Sequence, residues 1–492
     1  MTIPKEVKAV IEKLEKKGFE AYAVGGCVRD FLLEKEPEDW DIATSAKPEE
    51  IQKIFPENFY ENRFFTVTVR TGSKKPKLGE IEITTYRLEA QYTDKRHPDE
   101  IKFAKSIEED LARRDFTINA IALKAEKLKS KINFIDPFGG QADLKNKIIR
   151  AVGSPDDRFN EDALRMVRAV RFAATLSAAG EDWGIEEKTK QAIKKNSSGL
   201  RIISQERIRD EFMKIIMSDK SAQGIELLRD LDLMQYIIPE LEEGCGVSQN
   251  KHHIYECYDH NVRSLEFAAK KKFNKYVRIA ALLHDIGKPR SKNGEGPDAT
   301  FYNHEMIGAK MADRILNRLK FPKKEIEKIV KLVRYHLFYY NVGEVSESSV
   351  RRLVSQAGTE NMEELLQVRM SDRIGSGVPK AEPYKLRHLK YIIEKVSLDP
   401  ISVKMMKISG NEVMKILNIQ PGPKVGQVLD ILLGQVLSDP EKNKKEYLEK
   451  EIKKLGELSE KELISLSEKG RKEREKLEIK RDEMTKNKYW VT

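Results

Sequence analysis

The stretch Tyr22-Ala-Val-Gly25-Gly26-Cys-Val-Arg29-Asp30, followed by Asp39-Trp40-Asp41-Ile-Ala-Thr44, constrains this chain more than any other. Its apolar start, 21–24, reads as a strand that runs into two glycines and then a helix. Glycine lets a backbone approach a phosphate closely, and a helix N-terminus offers free N–H groups with a partial positive charge. Next come two aspartates at i and i+2. On a strand that spacing puts both carboxylates on one face, where they can hold Mg²⁺ against the phosphates of a nucleotide. A phosphate cradle beside an acid pair implies nucleotidyl transfer.

A Gly-Gly turn by itself is usually only a turn, and an Asp-x-Asp is more often a solvated loop. In this order the two resemble the class II nucleotidyltransferases, the family of tRNA CCA-adding enzymes and bacterial poly(A) polymerases. The resemblance runs in register through most of the chain. It implies an α+β fold: a polymerase-beta-like nucleotidyltransferase head with a mixed β-sheet, then an all-α neck, body, HD domain and tail. The parts expected are a head over 1–147, a base-selecting and RNA-binding neck and body over 148–245, an HD section over 246–376, and a tail over 377–492 that contacts tRNA. Local patterns agree. Residues 5–17 read as a charged helix, 40–44 as a strand, and 64–71 and 79–87 as strands joined by a basic loop, while from Asp156 onward nearly every long segment has helical period.

A two-metal mechanism needs carboxylates that bridge both ions. Asp39 and Asp41 suit that task, with Mg²⁺ as the expected ion. A third acid comes from Gly79-Glu80-Ile-Glu82-Ile-Thr84-Thr85. Alternation puts Glu80 and Glu82 on one face, and the family pattern of an acid before an apolar residue and Thr-Thr matches Glu82. Arg113-Arg114-Asp115-Phe116-Thr117-Ile118-Asn119-Ala120 is the next match. The resemblance implies that Asp115 takes the ribose and Arg114 the phosphates, and it adds Gly26, Arg29 and Asn119 to nucleotide binding. The plain alternative for Arg-Arg-Asp is a helix-end ion pair. Between these motifs lies the polar loop 89–98, with Tyr92, Asp94 and Arg96. CC-adding members lack such a loop.

Glu161-Asp162-Ala-Leu-Arg165-Met-Val-Arg168-Ala-Val-Arg171-Phe reads as one helix with acids and arginines on a shared face. Cytosine and adenine both present an exocyclic amino group beside an acceptor nitrogen, whereas uracil and guanine present a carbonyl beside an N–H. An Asp acceptor with an Arg donor therefore accepts C and A and opposes U and G. By resemblance Asp162 and Arg165 fill these positions. Arg168 and Arg171 serve phosphates or hold the pair, and the segment 204–212 braces the neck.

His260, His284-Asp285, His304, His336 and Asp372 reproduce the HD-domain pattern, with four of the eight histidines of the chain in this order. Imidazole and carboxylate ligands suit Mn²⁺, Ni²⁺ or Co²⁺. The formal charge of +10 fits a polyanionic partner, here the tRNA 3′ end, with ATP and CTP as donors. Three cysteines without paired spacing and no apolar run of membrane-spanning length point to the cytoplasm. Competing readings are an A-adding enzyme or poly(A) polymerase, an HD phosphodiesterase with a degenerate head, and a non-catalytic RNA scaffold. The Ile-Gly-Arg-Arg-Phe-like segment of poly(A) polymerases is absent from the matching region around Arg63.

Overall fold

The computed structural model describes residues 2–61, 65–90, 100–125, 132–177, 181–250, 254–397 and 406–491. Most of the polar loop 89–98 and Arg63 lie outside these residues. Contacts divide the chain into two units, residues 1–336 with 367–379, and 337–366 with 380–492.

The first unit opens with the amphipathic helix α1 (Lys5–Lys16), which buries Val7, Val10, Ile11 and Leu14. There follow β1 (Ala21–Val24), α2 (Gly26–Leu32), β2 (Asp41–Thr44), α3 (Pro48–Ile54), β3 (Asn58–Glu61), β4 (Thr66–Arg70), β5 (Glu80–Thr85), β6 (Arg87–Ala90), β7 (Glu100–Phe103), β8 (Ala122–Ala125) and β9 (Ile132–Ile135). Seven strands form one mixed sheet in the order β3-β4-β5-β2-β1-β8-β9. Only β2 and β5 pair in parallel within it. Its central strands β1 and β2 are short and almost wholly buried, as apolar β-branched and small residues between two layers require.

The edge strands β3 and β9 and the β6–β7 hairpin were not legible as strands, since Asn58-Phe-Tyr-Glu61 carries no clean alternation. Beyond residue 155 the unit is helical apart from the two-residue strand at Gly184–Ile185. One expectation is corrected here. The helix read across 161–172 is two helices, Pro155–Glu161 and Leu164–Leu176, broken at Asp162, whose backbone is extended (φ −143°, ψ 104°).

The second unit is all-helical, with a core of Val413, Val428, Leu432, Leu448, Ile452 and Leu463. The helix Glu347–Ala357 packs there on Tyr384–Ser397, and Lys395 pairs with Glu347 at 2.8 Å. Residues 337–366 thus pack with the tail, although their sequence position falls inside the 246–376 section. The pair of charged helices expected near the C-terminus is Lys445–Gly456 and Glu460–Tyr489. Leu448, Ile452, Leu455 and Leu463 face inward as their spacing predicts, while Leu466 is exposed.

Candidate active sites

Strand register builds the first site. Asp41 on β2 stands beside Glu82 on β5. Glu80, two residues earlier on the same face, stands beside Arg70 and pairs with it loosely at 3.6 Å on the surface. The neighbouring strand thus separates two acids that alternation could not. Asp39 sits in a bend before β2, so the expectation that both aspartates share a strand face is corrected. Alternation governs residues within a strand, and Asp39 is outside it.

Its charge still reaches the site. Burial, then the charges of Asp39 and Glu82, push the Asp41 carboxyl up to about 6, against the pull of Arg114. Three acids crowding one cation leave net negative charge at a half-buried spot, which is the electrostatic character of a divalent-ion site. Gly25 closes the cradle with a left-handed φ of +79°. A Cβ there would stand 2.8 Å from Arg114 Nη1 and 3.8 Å from Asp41 Oδ2, so glycine lets the turn pass between the acid and the guanidinium.

The Arg-Arg-Asp motif divides its partners. Ser106 caps the helix Ile107–Ala112, accepting from Glu109 N. From that helix the buried Asp110 accepts from Arg113 (2.9 Å) and Arg114 (3.1 Å). Asp110 was not singled out in the sequence, although its position three and four residues before two arginines is a readable signal. Asp115 turns the other way. Its Oδ1 accepts from Phe116 N and Asn119 Nδ2, and its Oδ2 from Arg168 at 2.6 Å.

Asn119 Oδ1 in turn accepts from Arg29 Nη1 at 2.9 Å, and Glu211 accepts from Arg171 at 2.8 Å and lies 3.8 Å from Arg168. A polar chain Arg29–Asn119–Asp115–Arg168–Glu211–Arg171 therefore ties the head to the neck. Burial raises the Asp115 carboxyl, but Arg168 and Asn119 outweigh it and hold it down at about 2. A carboxyl depressed from 3.8 stabilises the fold above pH 4, and that contribution fades as pH falls through 2. Asp115→Asn is expected to lower stability at pH 7 by on the order of 2 kcal/mol. Urea melts should show the gap from the parent narrowing between pH 4 and pH 3.

Asp162 and Arg165 are joined through the backbone, Arg165 N donating to the Asp162 carbonyl at 3.0 Å, while their side chains take other partners. Asp162 Oδ1 accepts from Leu164 N at 3.0 Å, and Oδ2 from Arg207 at 2.6 Å. Arg165 holds Glu161 and donates to the carbonyls of Arg158 and Arg113. Each is fixed by other groups, so the break between helices, rather than a common helix face, sets their geometry. Arg207 and Glu211 come from the segment read as a brace. The first orients Asp162 and the second ties Arg168 and Arg171.

The second site gathers all six predicted ligands in the interior. His260 lies in the helix Cys257–Lys270, and His284 and Asp285 follow Lys275–Leu283. His304 begins His304–Arg318, His336 ends Lys323–Tyr335, and Asp372 lies in Met362–Gly375. His260 Nε2 is 2.8 Å from His284 Nε2, 3.0 Å from Asp285 Oδ2 and 3.5 Å from Asp372 Oδ1. On the other side, Asp285 Oδ1 is 3.2 Å from His304 Nε2 and 3.4 Å from His336 Nε2. Two ligand groups thus share Asp285.

The Nδ1 atoms of His284, His304 and His336 face the carbonyls of Ala281, Phe301 and Val333 at 2.7–2.9 Å. Those contacts place the proton on Nδ1 and turn each Nε2 lone pair inward. Acceptors converging on acceptors require a cation or a shared proton between them, and these ligands fit a divalent metal. Burial lowers His284, but Asp285 and Asp372 override it and raise it to about 9. Burial raises Asp285, but Lys288 and the histidines hold it well below the carboxylate range. Buried Lys288, 2.6 Å from Asp285 Oδ2, is a functional residue the sequence reading missed, although its place three residues after Asp285 is a readable signal. Gly287 allows the crossing. A Cβ there would lie 2.2 Å from the carbonyl of His304.

Three family models match: the poly A polymerase head domain over 21–150, the probable RNA and SrmB-binding site of polymerase A over 184–245, and the HD domain over 257–374. The CCA-adding enzyme of Ligilactobacillus salivarius is 34% identical over 92% of this chain and 99% of that enzyme. The chain belongs to the CCA-adding enzyme family. The Enterococcus faecalis CCA-adding enzyme is 33% identical over 91% of this chain and 96% of its own length. Against the Lactobacillus delbrueckii subsp. bulgaricus CCA-adding enzyme identity rises to 49%, over 44% of this chain and about half (51%) of that relative.

The crystal structure of the Bacillus stearothermophilus CCA-adding enzyme in complex with CTP aligns with a TM-score of 0.57 at 27% identity, covering 92% of this chain and 98% of that one. The Thermotoga maritima CCA-adding enzyme complexed with tRNA shares the fold at a TM-score of 0.51 and 19% identity, over 91% of this chain and 92% of that one. This is the nucleotidyltransferase head followed by helices that the motifs implied. Polymerase head and HD domain together imply dependence on divalent metal. No helix among the described residues is long and apolar enough to cross a membrane.

Proposed function

We propose that this chain adds CMP, CMP and AMP to the tRNA 3′ end without a nucleic-acid template, using CTP and ATP. The observation that carries the reading is the register of Asp41 against Glu82, with Arg114 linking this end of the sheet to Asn119 and so to the polar chain that reaches Arg168 and Arg171 on the helix carrying Arg165. Asp39, Asp41 and Glu82 hold Mg²⁺, which when bound offsets triphosphate charge and makes the attacking hydroxyl more acidic. Gly26 and Arg114 receive the triphosphate, with Arg29 and Asn119 positioning Asp115 for the ribose. Asp162 and Arg165 read the base edge. Asp162 accepts one hydrogen bond on each oxygen and each oxygen takes two, so an amino group of C or A can join Arg207 there. Arg168 and Arg171 keep the neck aligned with the head. The four-part division into head, neck and body, HD section and tail belongs to this reading, with the tail contacting tRNA. The three unpaired cysteines suit the reducing cytoplasm.

The test offers tRNAs lacking CCA, ending in C, or ending in CC, each with a single labelled nucleotide. The expected result is C, then C, then A. Addition of A alone to the CC-ending tRNA marks an A-adding enzyme, and long runs of A mark a poly(A) polymerase. In the same assay Asp162→Ala or Arg165→Ala should lower discrimination against UTP and GTP about 10-fold or more, as loss of a bidentate edge contact worth ~1–3 kcal/mol requires. A slow variant that stays fully selective makes the residue a purely structural one.

For the buried cluster we propose Mn²⁺, Ni²⁺ or Co²⁺ and hydrolysis of a phosphoester, a 2′,3′-cyclic phosphate or 3′-phosphate at a damaged tRNA end. Clearing that end restores the hydroxyl that the head extends.

A further inference from the structure

The loop between β4 and β5 enters β5 at the end of the sheet where Glu82 and Asp41 stand side by side. It borders a cavity of about 820 Å³ that the nucleotide-binding residues do not line. Buried Trp40, the residue between the two catalytic aspartates, and Leu78 supply its apolar lining, and Lys5, Lys74, Lys75 and Lys77 its positive charge, against the carboxylates of Glu6 and Glu36. Lys77 is committed to Glu38 at 2.9 Å. Glu6, which also lines the cavity, accepts from Ser73 at 3.0 Å. Lys74 and Lys75 are exposed and make no ion pair among the described residues. Two exposed ammonium groups, next to the acids that activate a polynucleotide end, are suited to the phosphates of a polynucleotide backbone.

We propose that this cleft binds the RNA strand whose 3′ end is extended, with Lys74 and Lys75 contacting its phosphates. The inference rests on the reading that this substrate is tRNA. A triphosphate is the less fitting occupant, because no arginine fork lines the cleft.

The experiment compares the full-length parent, Lys74→Ala/Lys75→Ala, and Lys16→Ala/Lys17→Ala at the far end of α1 as a charge-matched control. Both double variants alter exposed side chains, and thermal melts check that each folds. The first is expected to raise the KM for tRNA about 5-fold or more, leaving kcat and the KM for CTP within 2-fold. Its tRNA affinity, by filter retention from 50 to 200 mM KCl, should lose about 1–2 from the slope of log affinity against log salt, at ~0.7 per single-stranded phosphate contact. An unchanged tRNA KM and slope, a change equalled by the control, or a rise confined to the KM for CTP overturns the proposal. If the parent extends no tRNA, the function proposed above fails separately, and retention of tRNA by parent and variant still decides the cleft.

Discussion

Asp41→Asn is expected to abolish addition of CMP and AMP together, by at least about a thousand-fold, with tRNA affinity within 2-fold of the parent. The size follows from the several kcal/mol of charge stabilisation that a catalytic metal contributes. Asp41 is the half-buried member of the acid set and the one paired in register with Glu82, so no neighbouring carboxylate can take its position. Asp39→Asn should show the same loss, because Asp39, from the bend outside β2, brings a second carboxylate charge to the ion site, where it acts on Asp41. Single-turnover extension of end-labelled tRNA measures the rate, and filter retention the affinity. Near-parental turnover in either variant would show that these acids do not hold the catalytic ions.

Replacing His284 and Asp285 by Ala is expected to reduce Mn²⁺- or Ni²⁺-dependent hydrolysis of bis-p-nitrophenyl phosphate or 2′,3′-cyclic AMP at least about 100-fold, while CCA addition stays near the parental rate. Asp285 is common to both ligand groups, so its loss strips each at once. The substitution also leaves buried Lys288 without its carboxylate partner, a destabilisation of ~3–5 kcal/mol for a broken buried pair. Asp285→Asn keeps the side-chain volume and a carbonyl that can still accept from Lys288, which lessens that cost while the charged ligand is lost. Metal content by elemental analysis supplies a readout independent of turnover. Two results would defeat the reading: a parent protein that hydrolyses neither ester with any transition metal, or a folded variant that no longer adds CCA.

The local patterns were already in the chain. Strand, glycine turn and acids follow one another closely in the chain, and the order of the histidines with Asp285 and Asp372 matches a helical ligand set. Periodicity located the helices of the tail because Leu448, Ile452 and Leu463 alternate with charged residues on helical spacing. Tertiary structure decided the rest, for reasons of distance along the chain. Whether Glu80 or Glu82 adjoins Asp41 depends on the pairing of β2 with β5, because both acids satisfy the same alternation. Arg168 reaches Asp115 across 53 residues and Arg207 reaches Asp162 across 45, so neither partner was visible in a window of helical length. The helix read over 161–172 breaks because Asp162 spends its side chain on Leu164 N, and short polar side chains compete in this way with the helical backbone. The amino-acid sequence thus determined which chemistries the chain carries, since side-chain identity and near-neighbour spacing are local. Only packing decided which charge faces which, because an ion pair depends on a separation in space that sequence distance does not measure.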